Sequence, residues 1–149
     1  MQAAWLVAAS ASVILMLGLV HLLYTFHGSK LMPRDAWLQA QMCSVSPRIS
    51  AQTTMWRAWV GFNASHSMGA LLFGLIYLYL ALNAPAMLFG SPFLCGLGLS
   101  FLFGWALLGR HYWFSVPYRA VLLALALFAA GLLISFLAPL ALHQLHRTS

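Results

Sequence analysis

The chain has 149 residues, of which 63% are hydrophobic and only 5% charged, whereas a water-soluble domain carries about a quarter charged residues. So few charges exclude a surface solvated by water alone and point to lipid as the solvent. Seven Lys and Arg stand against a single acid, Asp35, which excludes paired-carboxylate chemistry, a di-metal carboxylate centre and a Ser-His-Asp triad.

Inside lipid every backbone polar group must be satisfied within the protein, so spanning segments are helices or closed barrels. The apolar runs here are long and continuous, without the alternation of a barrel strand, and helices are expected. The first run covers residues 5–26. Residues 1–15 hold no Lys or Arg, unlike the basic start of a cleavable signal, so this run is read as a permanent helix. A long connection follows, interfacial over residues 30–55, with Lys30, Pro33, Arg34, Asp35 and Arg48. Within it residues 36–42 form a short interfacial helix that carries Trp37 at headgroup level. The second, third and fourth runs cover residues 56–82, 87–109 and 117–142. Each exceeds the roughly 20 residues that a bilayer crossing needs. The expected fold is all-α, one domain over residues 1–149, an integral membrane bundle of four transmembrane helices with a long first cytoplasmic connection. Cys43 and Cys95 form no CxxC pair and read as small packing residues.

The basic residues orient this arrangement. Lys30, Arg34, Arg48, Arg57, Arg110 and Arg119 flank the first and third connections, and only Arg147 flanks the other side. The positive-inside rule places the first and third connections in the cytoplasm and both termini outside, with a bacterial inner membrane as the expected location. Because topology accounts for the positive balance, no nucleic-acid partner is expected.

Helices in membranes associate through small residues that let backbones approach. Gly61, Ser65 and Gly69 repeat at four-residue spacing on the second run, as do Gly96, Ser100 and Gly104 on the third; Gly131 and Ser135 lie on the fourth. These are expected helix-packing positions, within the chain or between chains.

Ionisable groups inside a span are costly and are functional candidates by default. His21 lies on the first run; Arg57, Asn63 and His66 lie on the second; Arg110 and His111 end the third. His21 is about 8 Å from the end of its helix, and His66 is about 10 Å in from Trp59, where the hydrocarbon-buried stretch of the second run is taken to start, at the rise of an α-helix. Trp59, Asn63, His66, Ala70, Phe73 and Tyr77 form one helical stripe, and Ser10, Ile14, Gly18, His21 and Thr25 share a face on the first helix. A wall that mixes aromatic and polar groups suits a ligand. The same Asn and His also suit a hydrogen bond between helices that serves the bundle alone. The arginines suit snorkelling to lipid phosphates, and His143, His146 and Arg147 suit headgroup contact. With one acid in the chain, a buried Arg needs an outside counter-charge: lipid phosphate, the carboxylate of an amphiphile, or haem propionates.

The segment Arg57-Ala58-Trp59-Val60-Gly61-Phe62-Asn63-Ala64-Ser65-His66, with the segment from Arg110-His111-Tyr112 to Pro117-Tyr118-Arg119, resembles the membrane-associated proteins in eicosanoid and glutathione metabolism. Those are four-helix membrane proteins with a long cytoplasmic first connection. They usually form trimers, with an active site on the cytoplasmic side between subunits. The resemblance implies a homo-oligomer, a cytoplasmic-side site and glutathione as a cofactor. In this chain His66 stands where that family has Glu, and five residues rather than three separate Arg57 from Asn63.

Three functions stay open on the sequence. One is a pocket for an anionic amphiphile, lipid-like or a thiol conjugate, lined by Trp59, Asn63, His66 and Tyr77 and held by Arg110, Arg119, Arg57 and Tyr112, for binding or for transfer chemistry. In the transfer form Arg110 or Tyr112 would stabilise a thiolate or oxyanion. Another is an accessory subunit of a larger membrane complex. The third is a b-type haem protein with His21 and His66 as axial ligands and His111 as a substitute.

Overall fold

The computed structural model describes the backbone of residues 1–145 and the side chains of residues 1–137. The side chain of His143, and all of His146 and Arg147, lie outside the described residues. Six helices follow one another: α1 (Gln2–Phe26), α2 (Ala36–Ser44), α3 (Met55–Asn83), α4 (Pro85–Gly90), α5 (Pro92–Tyr112) and α6 (Ser115–Leu145). No strand occurs among the described residues. Four of the helices, α1, α3, α5 and α6, are long and apolar enough to cross a membrane.

The helix ends follow local chemistry. Shortly after α1 the chain turns at Gly28, whose φ of 83° is open to glycine at no steric cost. Asp35 caps α2: its carboxylate accepts from the Trp37 N–H at 2.8 Å. The Thr54 hydroxyl accepts from the Arg57 N–H at 3.3 Å and caps α3 in the same way. The third apolar run differs from its sequence reading. It does not begin near Met87 but divides into α4 and α5 at Ser91. Pro92 has no N–H with which to continue α4, and the Ser91 hydroxyl instead accepts from the Leu94 N–H to open α5. α6 starts at Ser115, so Pro117 sits in its first turn, where proline is tolerated.

The chain divides into two compact units, through both of which α1 and α3 pass. The first comprises Met1–Met16 and Leu72–Ser149. Its core holds the fully buried Val7, Ile14, Leu88, Leu102, Val121 and Phe128. The buried Ser10 hydroxyl donates to the Ala124 carbonyl at 2.7 Å, which ties α1 to α6. Phe73 stacks on Phe101 at 4.9 Å, and Tyr77 meets Phe128 edge to face at 5.3 Å. Close helix approach occurs at Gly74, where a Cβ would lie 2.7 Å from Leu15 Cβ, and at Gly131, where one would lie 2.9 Å from the Ala3 carbonyl oxygen.

The second unit is Leu17–Leu71. Here Gly18 lies against α3, and a Cβ on it would be 2.8 Å from Ala70 Cβ. The connection is tied to the start of α3 at two points: the Trp59 indole N–H donates to the Leu31 carbonyl at 3.1 Å, and the Met55 N–H donates to the Val45 carbonyl at 2.8 Å. α2 buries no residue.

The predicted small-residue stripes are not the close contacts of this chain. A Cβ added at Gly61, Gly69, Gly96 or Gly104 meets nothing within 4 Å among the described residues, and Ser65 and Ser100 are exposed. Gly18, Gly74, Gly98, Gly109 and Gly131 make those contacts instead. Of the predicted packing glycines, Gly131 alone has an intrachain neighbour at such range.

Candidate functional site: a polar cluster and an adjoining cleft

Helical periodicity places Trp59, Asn63 and His66 on one side of α3, and in the second unit that side meets His21 of α1. Asn63, 8% exposed, is the centre. Its side-chain amide donates to the Trp59 carbonyl at 2.8 Å, and because a carbonyl accepts only, this bond orients the amide. Oδ1 then faces His21 Nε2 at 3.0 Å. An amide oxygen only accepts, so the His21 proton sits on Nε2. Thr25 Oγ1 donates to the His21 carbonyl at 2.8 Å. The His66 ring packs edge to face on His21, with centroids 5.4 Å apart and planes inclined by 75°. Among the described residues no buried polar side-chain atom lacks a partner.

A cleft adjoins this cluster, lined by Tyr24, Thr25, Gly28, Leu31, Met32, Trp56, Trp59, Val60 and Asn63. It encloses about 20 Å³, room for about one water or one headgroup oxygen. The Lys30 ammonium lies over the Tyr24 ring, 5.0 Å from its centroid, which places a cation on a residue of the cleft wall.

The structure brings together His21, Trp59, Asn63 and His66 from the predicted site, and Trp59 and Asn63 line the cleft. Arg57 is exposed at the start of α3. Tyr77 belongs to the first unit: it is buried among Phe73 and Phe128, and its hydroxyl donates to the Leu94 carbonyl at 2.8 Å. Arg110, Tyr112 and Arg119 also belong to the first unit and are exposed around the α5–α6 junction. His111 is exposed beside Tyr112, with ring centroids 6.3 Å apart. The sequence reading did not assign Tyr24, Lys30 or Trp56 to the site, although it used Lys30 for orientation. Tyr24 carried a signal, since it lies one turn beyond His21. Lys30 carried none, because its approach to Tyr24 depends on the turn at Gly28.

As arranged, the histidine pair does not fit axial haem ligation. His21 Nε2 is committed to Asn63, and the edge-to-face packing leaves no plane between the rings for a porphyrin. No group of three or more potential metal ligands occurs among the described residues. The first unit has a broader groove of about 750 Å³ along Trp5, Leu82, Pro85, Phe89 and Ile134. Ser135 also lines it, but its hydroxyl donates back to the Leu132 carbonyl at 2.7 Å. No family model, curated protein or solved structure matches the chain.

Proposed function

We propose that the chain is an integral membrane protein of four spans whose cleft beside His21 and Asn63 receives a headgroup oxygen of an anionic amphiphile. One observation carries this reading: the cleft joins a preoriented amide to an aromatic wall with a lysine on it, and no acid lies on the lining. Trp56, Trp59 and Tyr24 suit the apolar part near the head, and Lys30 supplies the counter-charge. The positive-inside rule puts the connection that carries Lys30 in the cytoplasm and the termini outside, with a bacterial inner membrane as the expected setting. Binding is the core of the proposal. Transfer chemistry with a thiol such as glutathione rests on the family resemblance alone.

Native mass spectrometry of protein released from mild detergent tests the binding. The wild type is expected to retain an anionic amphiphile, and Lys30→Gln together with Trp59→Ala is expected to retain several-fold less. Equal retention by the variant and the wild type would overturn the reading.

A second reading is assembly, with copies of itself or as a subunit of a larger membrane complex. The specific observation is the open space beside Gly61 and Gly69 on α3 and beside Gly96 and Gly104 on α5, where an added Cβ would meet nothing within 4 Å among the described residues, since small residues with such room suit a neighbouring helix. Gly61→Leu and Gly96→Leu should leave the unfolding midpoint of the monomer unchanged. If assembly uses these faces, the same variants shift the wild-type oligomer to a smaller species on light scattering in detergent; an unchanged mass would remove this reading.

A further inference from the structure

The connection between α1 and α3 is the most charged stretch of the chain, and the polar cluster does not use most of it. Lys30, Arg34 and Arg48 are all exposed there, and Arg57 is exposed just beyond it at the start of α3. The only acid, Asp35, is engaged at the cap of α2. Interleaved with these cations are exposed apolar side chains: Trp37 is 69% exposed, Leu38 46%, Val45 49% and Ile49 95%. Water does not favour such a surface, yet no helix of the described chain buries any residue of α2.

Its height relative to α3 is set by the two ties already described, at Met55 and at Trp59. These lie four residues apart, about 6 Å along the helix. α2 is therefore flanked by anchors within the first turn or so of α3. If α3 spans, that level is the headgroup layer, where Trp is favoured and Lys and Arg reach phosphates.

We infer that the α1–α3 connection is a docking surface for anionic phospholipid headgroups, with Lys30, Arg34 and Arg48 on the phosphates and Trp37 and Ile49 entering the acyl boundary. Two features select this partner. The surface carries three exposed cations, Lys30, Arg34 and Arg48, against the one acid, Asp35, whose carboxylate is bonded at the cap of α2, and its exposed apolar residues lie among the cations as in an interfacial segment. The inference rests on the reading of α1 and α3 as spans.

Cys43 provides the reporter, because it is exposed on α2 while Cys95 is buried. The full chain, with Cys95→Ala, is labelled at Cys43 with bimane and reconstituted in vesicles of phosphatidylcholine, or of phosphatidylcholine with phosphatidylglycerol. Quenching by acrylamide, which is neutral and aqueous, should be several-fold weaker in the phosphatidylglycerol vesicles. High salt should narrow that difference, and the triple variant Lys30→Gln, Arg34→Gln, Arg48→Gln should abolish it. Equal quenching in the two vesicle types, or a triple variant that behaves as the wild type, would overturn the inference. An alkaline carbonate wash separates the two readings. Protein that stays in the vesicles but shows no lipid-dependent quenching overturns the docking surface alone; protein stripped from them overturns the spans and the docking surface together.

Discussion

A Gly74→Leu variant is expected to lose about 1–3 kcal/mol of stability, the usual result of forcing extra carbon into a packed contact. A Cβ at residue 74 would lie 2.7 Å from Leu15 Cβ, 2.9 Å from Leu15 Cα and 3.0 Å from Leu15 N. Two of those atoms are backbone and the third is fixed to it, so no rotamer change clears the space. α1 and α3 must separate there, and the contacts around that point weaken with them. Gly98 offers a comparison, since a Cβ there would meet the ring ends of Phe128 and Tyr77 rather than a helix backbone. The effect is read as a lower midpoint in sodium dodecyl sulfate titration from mixed micelles, followed by tryptophan fluorescence. A Gly74→Leu midpoint equal to that of the wild type would mean that α1 does not approach α3 as placed.

An Asn63→Leu variant is expected to lose a comparable amount, for a different reason. The substitution removes the acceptor of the His21 Nε2 proton and the donor to the Trp59 carbonyl. A donor left unpaired away from water is penalised by about 1–3 kcal/mol. The cause can be isolated, because His21→Phe removes the orphaned donor. The double variant His21→Phe, Asn63→Leu should therefore be less destabilised than the sum of its parts. Strict additivity would show that the two side chains do not interact. On the proposed function, Asn63→Leu also lowers amphiphile retention, because the amide it removes is a polar floor of the cleft.

The two variants probe links of different kinds, and they differ in how far the sequence foretold them. The residues of the polar cluster were legible because an ionisable or amide group in an apolar run stands out against its neighbours. Periodicity also placed Trp59, Asn63, His66, Ala70, Phe73 and Tyr77 on one stripe; Asn63, Ala70, Phe73 and Tyr77 are buried, His66 is half-buried and Trp59 is 42% exposed. The glycines show what spacing leaves open. Gly61, Ser65 and Gly69 share the spacing of a packing motif, and a Cβ at either glycine would meet no described atom within 4 Å, while Gly18 and Gly74 make the close contacts of α1 and α3. Spacing shows that a helix has a smooth face. It does not show which face a neighbour uses.

What the sequence by itself determined was local. Apolar length produced the four helices long enough to cross a membrane. Asp35 and Thr54 marked helix starts by the bonds their side chains accept from N–H groups within the first turn. Pro92, with Ser91 before it, held the signal for the α4–α5 break that the apolar run concealed. Tertiary structure decided the pairings: His21 with Asn63, Lys30 over Tyr24, and the connection tied to Trp59 and Met55. The physical reason is that hydropathy and capping act over a few residues of one segment. A hydrogen bond between residues 42 apart in sequence depends instead on the rotation and height of two helices, which side-chain packing along their whole contact sets.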